Sequence, residues 1–342
     1  MGLFGNSGFQ IPDLTGKVAL VTGAKHVTLS AMCHNTDELH STGIGYATAE
    51  QLAIHGAKVW MGARSEEKAK QAIAKFNTDH QNNTKKGEIV WLPLDLTFPV
   101  DVMASAKSFL AQVDRLDILV NNAARLSSEY SLTKDGIETL VAINHVGHFA
   151  LTEALLPLLR QTAQLPGSDV RVVTVSSIMH NYVKVIKLDT KSDLNNTFSA
   201  DPASNNAGIA SAKRYNFSKL LNVLFASELQ RRVDQEGISI ISISLHPGVV
   251  ATDGAMNLIP AFLRPGLKWF GKTREQGAAS TLFAATSPEV RAKQDKYKGA
   301  YLGPGGKLGL ASETGRDEKL GKSLWDLSHR VVKDVLEGKS EA

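Results

Sequence analysis

Tyr215 and Lys219 stand four residues apart in the run Tyr215-Asn-Phe-Ser-Lys219. On a helix that spacing puts both side chains on one face. A phenol ionises near ~10 and is a poor base at neutral pH, but a cation that close lowers a pKa by roughly 1–3. Such a pair suits proton exchange with an oxygen whose charge changes during a reaction. The same spacing also describes an ordinary packed surface pair, just as Ser176 and Ser177 also read as the end of a strand. A second set of residues suits an anion. Thr22-Gly23-Ala24-Lys25 closes a short apolar run, and Thr42-Gly43-Ile44-Gly45 opens a helical stretch. Glycines there let backbone N–H groups approach a pyrophosphate, towards which the next helix turns its positive end. Arg64, just past Val59-Trp-Met-Gly-Ala63, carries a planar fork that fits a phosphate. It also reads as a solvated arginine opening the next helix.

The elements that must carry these residues alternate. Short β-branched and apolar runs occur at 17–22, 58–61, 89–94, 116–120, 170–175 and 238–245. None shows the polar alternation of a one-sided strand, so both faces are expected to be covered. Helical periodicity fills the gaps at 46–55, 66–76, 100–114, 136–160 and 215–233. This order predicts an α/β fold: a doubly wound, Rossmann-type parallel sheet with helices on both faces. A seventh strand is expected at 298–302, after a helix opened by the capping pattern Thr273-x-x-Gln276. Leu320, Leu324, Leu327, Val331 and Val335 predict a last amphipathic helix docked on the body. With no long linker and no internal repeat, one domain spanning 17–338 is expected. It follows an N-terminal extension (1–16), carries an insertion at 26–41 and has a flap at 180–212.

The chain has 342 residues, 43% apolar and 21% charged, with Lys and Arg exceeding Asp and Glu by 38 to 34. The charges are mixed along the chain, which argues against nucleic acid and membrane surfaces as partners. No run approaches the roughly 18 apolar residues that span a bilayer. The start, Met1-Gly-Leu-Phe-Gly-Asn6, is neither a secretory signal nor an acylation signal, since Asn6 stands where Ser or Thr is required. One cysteine, Cys33, excludes an internal disulfide framework. A soluble cytoplasmic protein is expected.

Taken together, the motifs resemble the short-chain dehydrogenase/reductase family over almost the whole chain. The two glycine-rich pieces resemble its TGxxxGIG turn, split by the sixteen residues 26–41. Asn121-Asn122-Ala123-Ala124 is similar to the NNAG turn, with Ala124 replacing the glycine. Tyr215 and Lys219 match the YxxxK pair. Asn144-His-Val-Gly-His-Phe149, the run around Tyr215 and His246-Pro-Gly-Val-Val-Ala-Thr252 resemble the retinol-dehydrogenase-like branch and its fungal relatives.

The resemblance implies an oxidoreductase acting on the CH–OH group of an alcohol or on the matching carbonyl. Asn144, Ser177, Tyr215 and Lys219 would be catalytic. Tyr215 would move the proton, Ser177 would hydrogen-bond the substrate oxygen, and Asn144 would orient a relay water. The nucleotide would be held by Gly23, Gly43, Ile44, Gly45, Arg64, Asp95, Asn122, Asn144, Tyr215, Lys219, Val250 and Thr252. Lys219 would hold the nicotinamide ribose and Asp95 the adenine. No carboxylate stands where an NAD site binds the ribose 2′-hydroxyl, and Arg64 stands there instead, so NADP (NADPH) is expected over NAD. No metal is expected: His26, Cys33, His34 and His40 match no familiar zinc spacing. Deleting 26–41 leaves TGAKTGIG, which restores the family spacing. The segment therefore reads as a retained in-frame intron, an idea that uniform retention in the transcripts would refute. If the insertion is native, the alternative function is a catalytically impaired nucleotide-binding or scaffold protein. A polar stretch at 192–211 and an apolar loop with Met256, Leu258, Ile259, Phe262, Leu263, Trp269 and Phe270 suit a bulky apolar substrate. A secondary-metabolite tailoring role follows only from the relatives. A homodimer or homotetramer would pair the helices at 136–160 and 215–233.

Overall fold

The computed structural model describes residues 9–23, 26–27, 41–127, 129–206, 208–248 and 273–339, with only the backbone of 26–27 and 41–42. One sheet of eight strands runs β10-β9-β8-β7-β6-β1-β4-β5. Its members are β1 (Val18–Thr22), β4 (Lys58–Ala63), β5 (Ile89–Pro93), β6 (Ile118–Asn121), β7 (Val170–Val175), β8 (Ile240–Leu245), β9 (Tyr301–Leu302) and β10 (Leu308–Gly309). All neighbours are parallel except β9 and β10. From β1 the chain winds outward through β4 to β5, then returns beside β1 as β6 and winds the other way. The order of the strands thus reverses between β1 and β6, where the doubly wound fold opens its crevice at the carboxyl ends. The eighth strand, β10, is an addition to the seven expected; two residues long, it carries no periodicity that a sequence could show.

Alternate strand residues feed two cores. Leu20, Trp60, Leu119, Val172 and Ile240 point to one face. There they meet α3 (Pro99–Leu110), α5 (Gly147–Ala163), α7 (Gly208–Gln235) and α11 (Glu318–Leu336). Ala19, Val21, Val59, Met61, Val120 and Ile243 point to the other, against α1 (Ile44–Ile54), α2 (Glu66–Asp79) and α8 (Arg274–Thr286). The capping box expected at α8 is complete: Gln276 N–H donates to Thr273 Oγ1 at 3.2 Å and Thr273 N–H to Gln276 Oε1 at 3.1 Å. Short helices α9 (Pro288–Ala292) and α10 (Gln294–Tyr297) lead on to β9.

The helix expected at 136–160 is more irregular than its pattern suggests. Glu138 caps α4 (Thr139–Val141) by accepting from Val141 N–H at 2.9 Å. A π turn (Ala142–Val146) follows and runs into α5. α11 packs on α5 and α7, the two helices expected to pair with a second copy. Trp325 packs edge-on against Phe149 at 5.0 Å and stacks on Phe225 at 5.9 Å. His145 Nε2 and Ser328 Oγ lie 2.8 Å apart. The last helix thus brings an aromatic that meets apolar side chains of α5 and α7 within the chain.

The inserted stretch leaves and re-enters the turn through β2 (His26–Val27) and β3 (Ser41–Thr42), an antiparallel pair in which His26 faces Thr42 and Val27 faces Ser41. Residues 28–40, with Cys33, His34 and His40, lie outside the described residues. The expected flap holds a 3-10 turn (Ile178–Tyr182) and a short α6 (Lys191–Leu194). Asn195 stitches it to the loop before α4, donating to Gly136 O at 2.8 Å and accepting from Glu138 N–H at 2.8 Å.

Candidate active site

The carboxyl ends of the strands set the expected residues side by side in sheet order. Ser177 follows β7, Asn122 follows β6, Gly23 follows β1, Arg64 follows β4 and Asp95 follows β5. Gly23 has φ +71°, and a Cβ there would lie 2.7 Å from Ala123 Cα, so the turns after β1 and β6 touch through backbone. A Cβ on Gly45 would run into Asn122 Nδ2 and come within 2.9 Å of Gly23 O. Glycine at both places is what brings the start of α1 down onto the end of β1 although the insertion separates them in sequence. Gly43 is the N-cap of α1 and offers no side-chain cap, and nothing lies within 4 Å of where its Cβ would be. The first N–H groups of α1, including those of Ile44 and Gly45, thus receive no side-chain cap from Gly43, which leaves them suited to a nucleotide diphosphate. Arg64 is exposed and makes no ion pair among the described residues; the helix start after it is capped by Ser65, which accepts from Lys68 N–H at 3.3 Å. Asp95 accepts from Thr97 N–H at 2.9 Å and Thr97 Oγ1 at 2.6 Å. These residues fit a dinucleotide: a close backbone cradle, a helix start without a side-chain cap and, past the end of β4, an arginine with no ion pair among the described residues.

Two hydrogen-bonding clusters fix the reacting side. Lys219 Nζ donates to Val175 O at 3.0 Å, Asn222 Nδ2 donates to the same oxygen at 3.2 Å, and Ser176 Oγ donates to Lys219 O at 2.6 Å. α7 is thereby pinned to the end of β7, and the ammonium lies 5.8 Å from the centre of the Tyr215 ring. Ser177 caps the 3-10 turn by accepting from Met179 N–H at 3.2 Å. His180 Nδ1 donates to Ser177 O at 2.7 Å and His180 Nε2 accepts from Ser312 N–H at 3.1 Å. A ring nitrogen that accepts from an amide carries no proton, so His180 is neutral here. Asn144 lies in the π turn, a device that recurs at functional sites. Its side chain donates to Arg125 O at 3.1 Å and Ser218 Oγ at 2.9 Å and accepts from Arg125 N–H at 2.7 Å. Ser218 Oγ donates in turn to Tyr215 O at 2.8 Å.

Burial dominates the electrostatics. It brings Lys219 down from 10.5 to about 8. It also raises the Tyr215 phenol above its ordinary value of 10, while the hydrogen bond to the Ser177 side chain acts the other way. The expectation that the neighbouring ammonium brings Tyr215 down towards working pH is thus corrected. Lys219 directs its charge at a backbone carbonyl, and desolvation of the phenolate outweighs it.

Val250, Thr252 and the apolar loop at 256–270 lie outside the described residues. A cavity of about 520 Å³ between Lys134, Lys191, Arg330 and Asp334 contains none of the expected site residues. Thr22, His148, His180 and Ser218 support the site and were absent from the expected set. For His148 a signal existed: it stands four residues after Asn144, on the same helical face.

A family profile described as short chain dehydrogenase matches residues 40–186, starting as the inserted stretch ends. A short-chain dehydrogenase/reductase of Colletotrichum higginsianum is 43% identical over 326 residues, covering 95% of this chain and 77% of its own. One from Armillaria gallica is 38% identical over 326 residues and covers 94% of each. Among solved structures, an uncharacterized protein from Mycobacterium paratuberculosis superposes with a TM-score of 0.66 at 30% identity, covering 95% of this chain and 96% of that one. L-Sorbose reductase from Gluconobacter frateurii, solved with NADPH and L-sorbose, shares the fold with a TM-score of 0.62 at 18% identity over 87% of this chain and 98% of that one. Likeness at this level, running through both halves of the sheet and across the crevice between them, places the chain in the short-chain dehydrogenase/reductase family of NAD(P)-dependent oxidoreductases.

Proposed function

We propose that the chain interconverts a carbonyl and an alcohol on a bulky apolar small molecule, with NADP(H) as its nucleotide and Tyr215 as its acid and base. The reading rests on one observation: the buried ammonium of Lys219 lies beside the Tyr215 ring, and Ser177 is hydrogen-bonded to Tyr215, at the end of β7. NADPH, when bound, supplies the hydride. The N–H groups around Gly23, Gly43, Ile44 and Gly45 would hold its diphosphate, Arg64 the 2′-phosphate, Asp95 the adenine and Asn122 the floor beneath it, with Lys219 at the ribose. Ser177 would hydrogen-bond the carbonyl oxygen, and Tyr215, kept protonated by burial, would give its proton to the oxygen as negative charge develops there. The fungal relatives and the NHVGHF and HPGVVAT phrases favour the retinol-dehydrogenase-like branch and a tailoring role in secondary metabolism.

Fluorescence titration with NADPH followed by turnover of a panel of apolar ketones and aldehydes tests this. Tyr215→Phe should lose turnover by roughly a hundredfold or more while keeping its affinity for NADPH; undiminished turnover would refute the assignment. The hairpin neck inside the phosphate turn and Ala124 in the second turn favour a second reading, a nucleotide-binding scaffold without chemistry. In that case NADPH binds and no carbonyl turns over.

A further inference from the structure

We propose that His148 is a positioning residue that couples the nucleotide turn to the helix bearing Asn144, so that both sides of the crevice move as one piece. The proposal rests on the functional reading above and adds a residue to it. His148 is 1% exposed. Its Nδ1 lies 3.1 Å from Asn144 O, and its Nε2 lies 2.8 Å from Thr22 Oγ1. A carbonyl can only accept, so Nδ1 carries the proton. Burial holds the ring neutral, at about 4, which leaves Nε2 as an acceptor, and the Thr22 hydroxyl must donate to it. The direction of that single proton settles the rest. With its hydrogen committed to His148 at 2.8 Å in preference to Val120 O at 3.4 Å, Thr22 Oγ1 keeps both lone pairs for Asn122 N–H and Ala123 N–H, each 3.0 Å away. Asn122 closes the loop by donating from Nδ2 to Thr22 O at 2.8 Å. On the far side, the Asn144 side chain passes the link to Ser218 and so to Tyr215 O.

One uninterrupted hydrogen-bonded path therefore runs from the turn after β6, through the end of β1 and the His148 ring, to the helix of Tyr215. His145, three residues earlier in the same motif, faces the other way and meets α11 at Ser328. The two histidines thus have different jobs, and only His148 bridges the crevice. A neutral imidazole suits the task because it presents one donor and one acceptor at fixed separation. A glutamine amide can imitate that pair, whereas phenylalanine fills the space and offers neither.

The test uses the full chain and NADPH. Removing both bonds in His148→Phe should weaken NADPH binding roughly tenfold, the usual consequence of buried polar groups left unpaired, while His148→Gln should bind close to wild type. Equal weakening in both variants, or none in either, would overturn the proposal. If His148→Phe does not fold, nitrogen NMR of the histidine-labelled wild type decides, with the signal assigned by its loss in His148→Gln. A neutral ring protonated at Nδ1 is the expected result, and a charged ring or an Nε2–H ring would overturn it. That measurement needs no nucleotide, so a chain that fails to bind NADPH would refute the functional reading and leave this assignment to stand or fall by itself.

Discussion

Lys219→Met should make the protein more stable at neutral pH while abolishing its chemistry. The ammonium is fully enclosed, and burial holds it at about 8 instead of 10.5. Below pH 8 the lysine is charged in both the folded and the unfolded chain, and the whole cost of burying that charge is present. Between 8 and 10.5 the unfolded chain binds a proton that the folded chain has released, so wild-type stability rises with pH until the cost is gone. The displacement corresponds to about 3 kcal/mol near neutrality, falling to about 2 kcal/mol at pH 9. Methionine fills similar space without the charge. The bond lost, to Val175 O, costs about 1 kcal/mol, and that oxygen keeps Asn222 Nδ2 as a partner. A net gain of about 2 kcal/mol at pH 7 follows, shrinking as pH rises. Urea denaturation of both proteins from pH 6.5 to 9.5 reads the difference directly, and Tyr215, which burial keeps above its ordinary value, does not titrate in that range. A variant no more stable than wild type at pH 7, or a gain independent of pH, would refute the reasoning.

Arg64→Ala should raise the Michaelis constant for NADPH roughly tenfold or more and leave that for NADH nearly unchanged, because a bidentate phosphate partner is removed; equal effects on both nucleotides would reject the NADP assignment. Gly45→Ala should cost about 1–3 kcal/mol of stability and weaken nucleotide binding, since its methyl would meet Asn122 and Gly23 O; a thermal melt and an NADPH titration check both, and an unchanged variant would show that the two turns are not in contact.

The doubly wound sheet was legible because its strands are continuous apolar runs; the strand expected at 170–175 coincides with β7 (Val170–Val175). β10 and the true start of α7 were not. Gly208 to Arg214 extend that helix ahead of Tyr215 through Ser211 and exposed lysine and alanine positions that carry no apolar period. The four positions expected to be catalytic were read from motifs, and the fold places them at the end of β7 and in the helices beside it. The phenol's protonation was misread: spacing along a helix reports distance between side chains but says nothing of how much water is removed from around them. The supporting residues were hidden for a related reason. Thr22 and His148 are 126 positions apart, and only the β1–β6 reversal brings them together.

The docking of α11 has a consequence for how the enzyme behaves when scarce. Contacts such as Trp325 against Phe149 and Phe225, or Arg232 over the Trp325 indole at 4.5 Å, resemble those by which separate subunits brace one another. Where such a brace comes from a second molecule, dilution removes it, and rigidity becomes a matter of abundance. Here the brace is covalently attached to what it supports. The helices holding Asn144 and Tyr215 keep this support however few copies a cell contains.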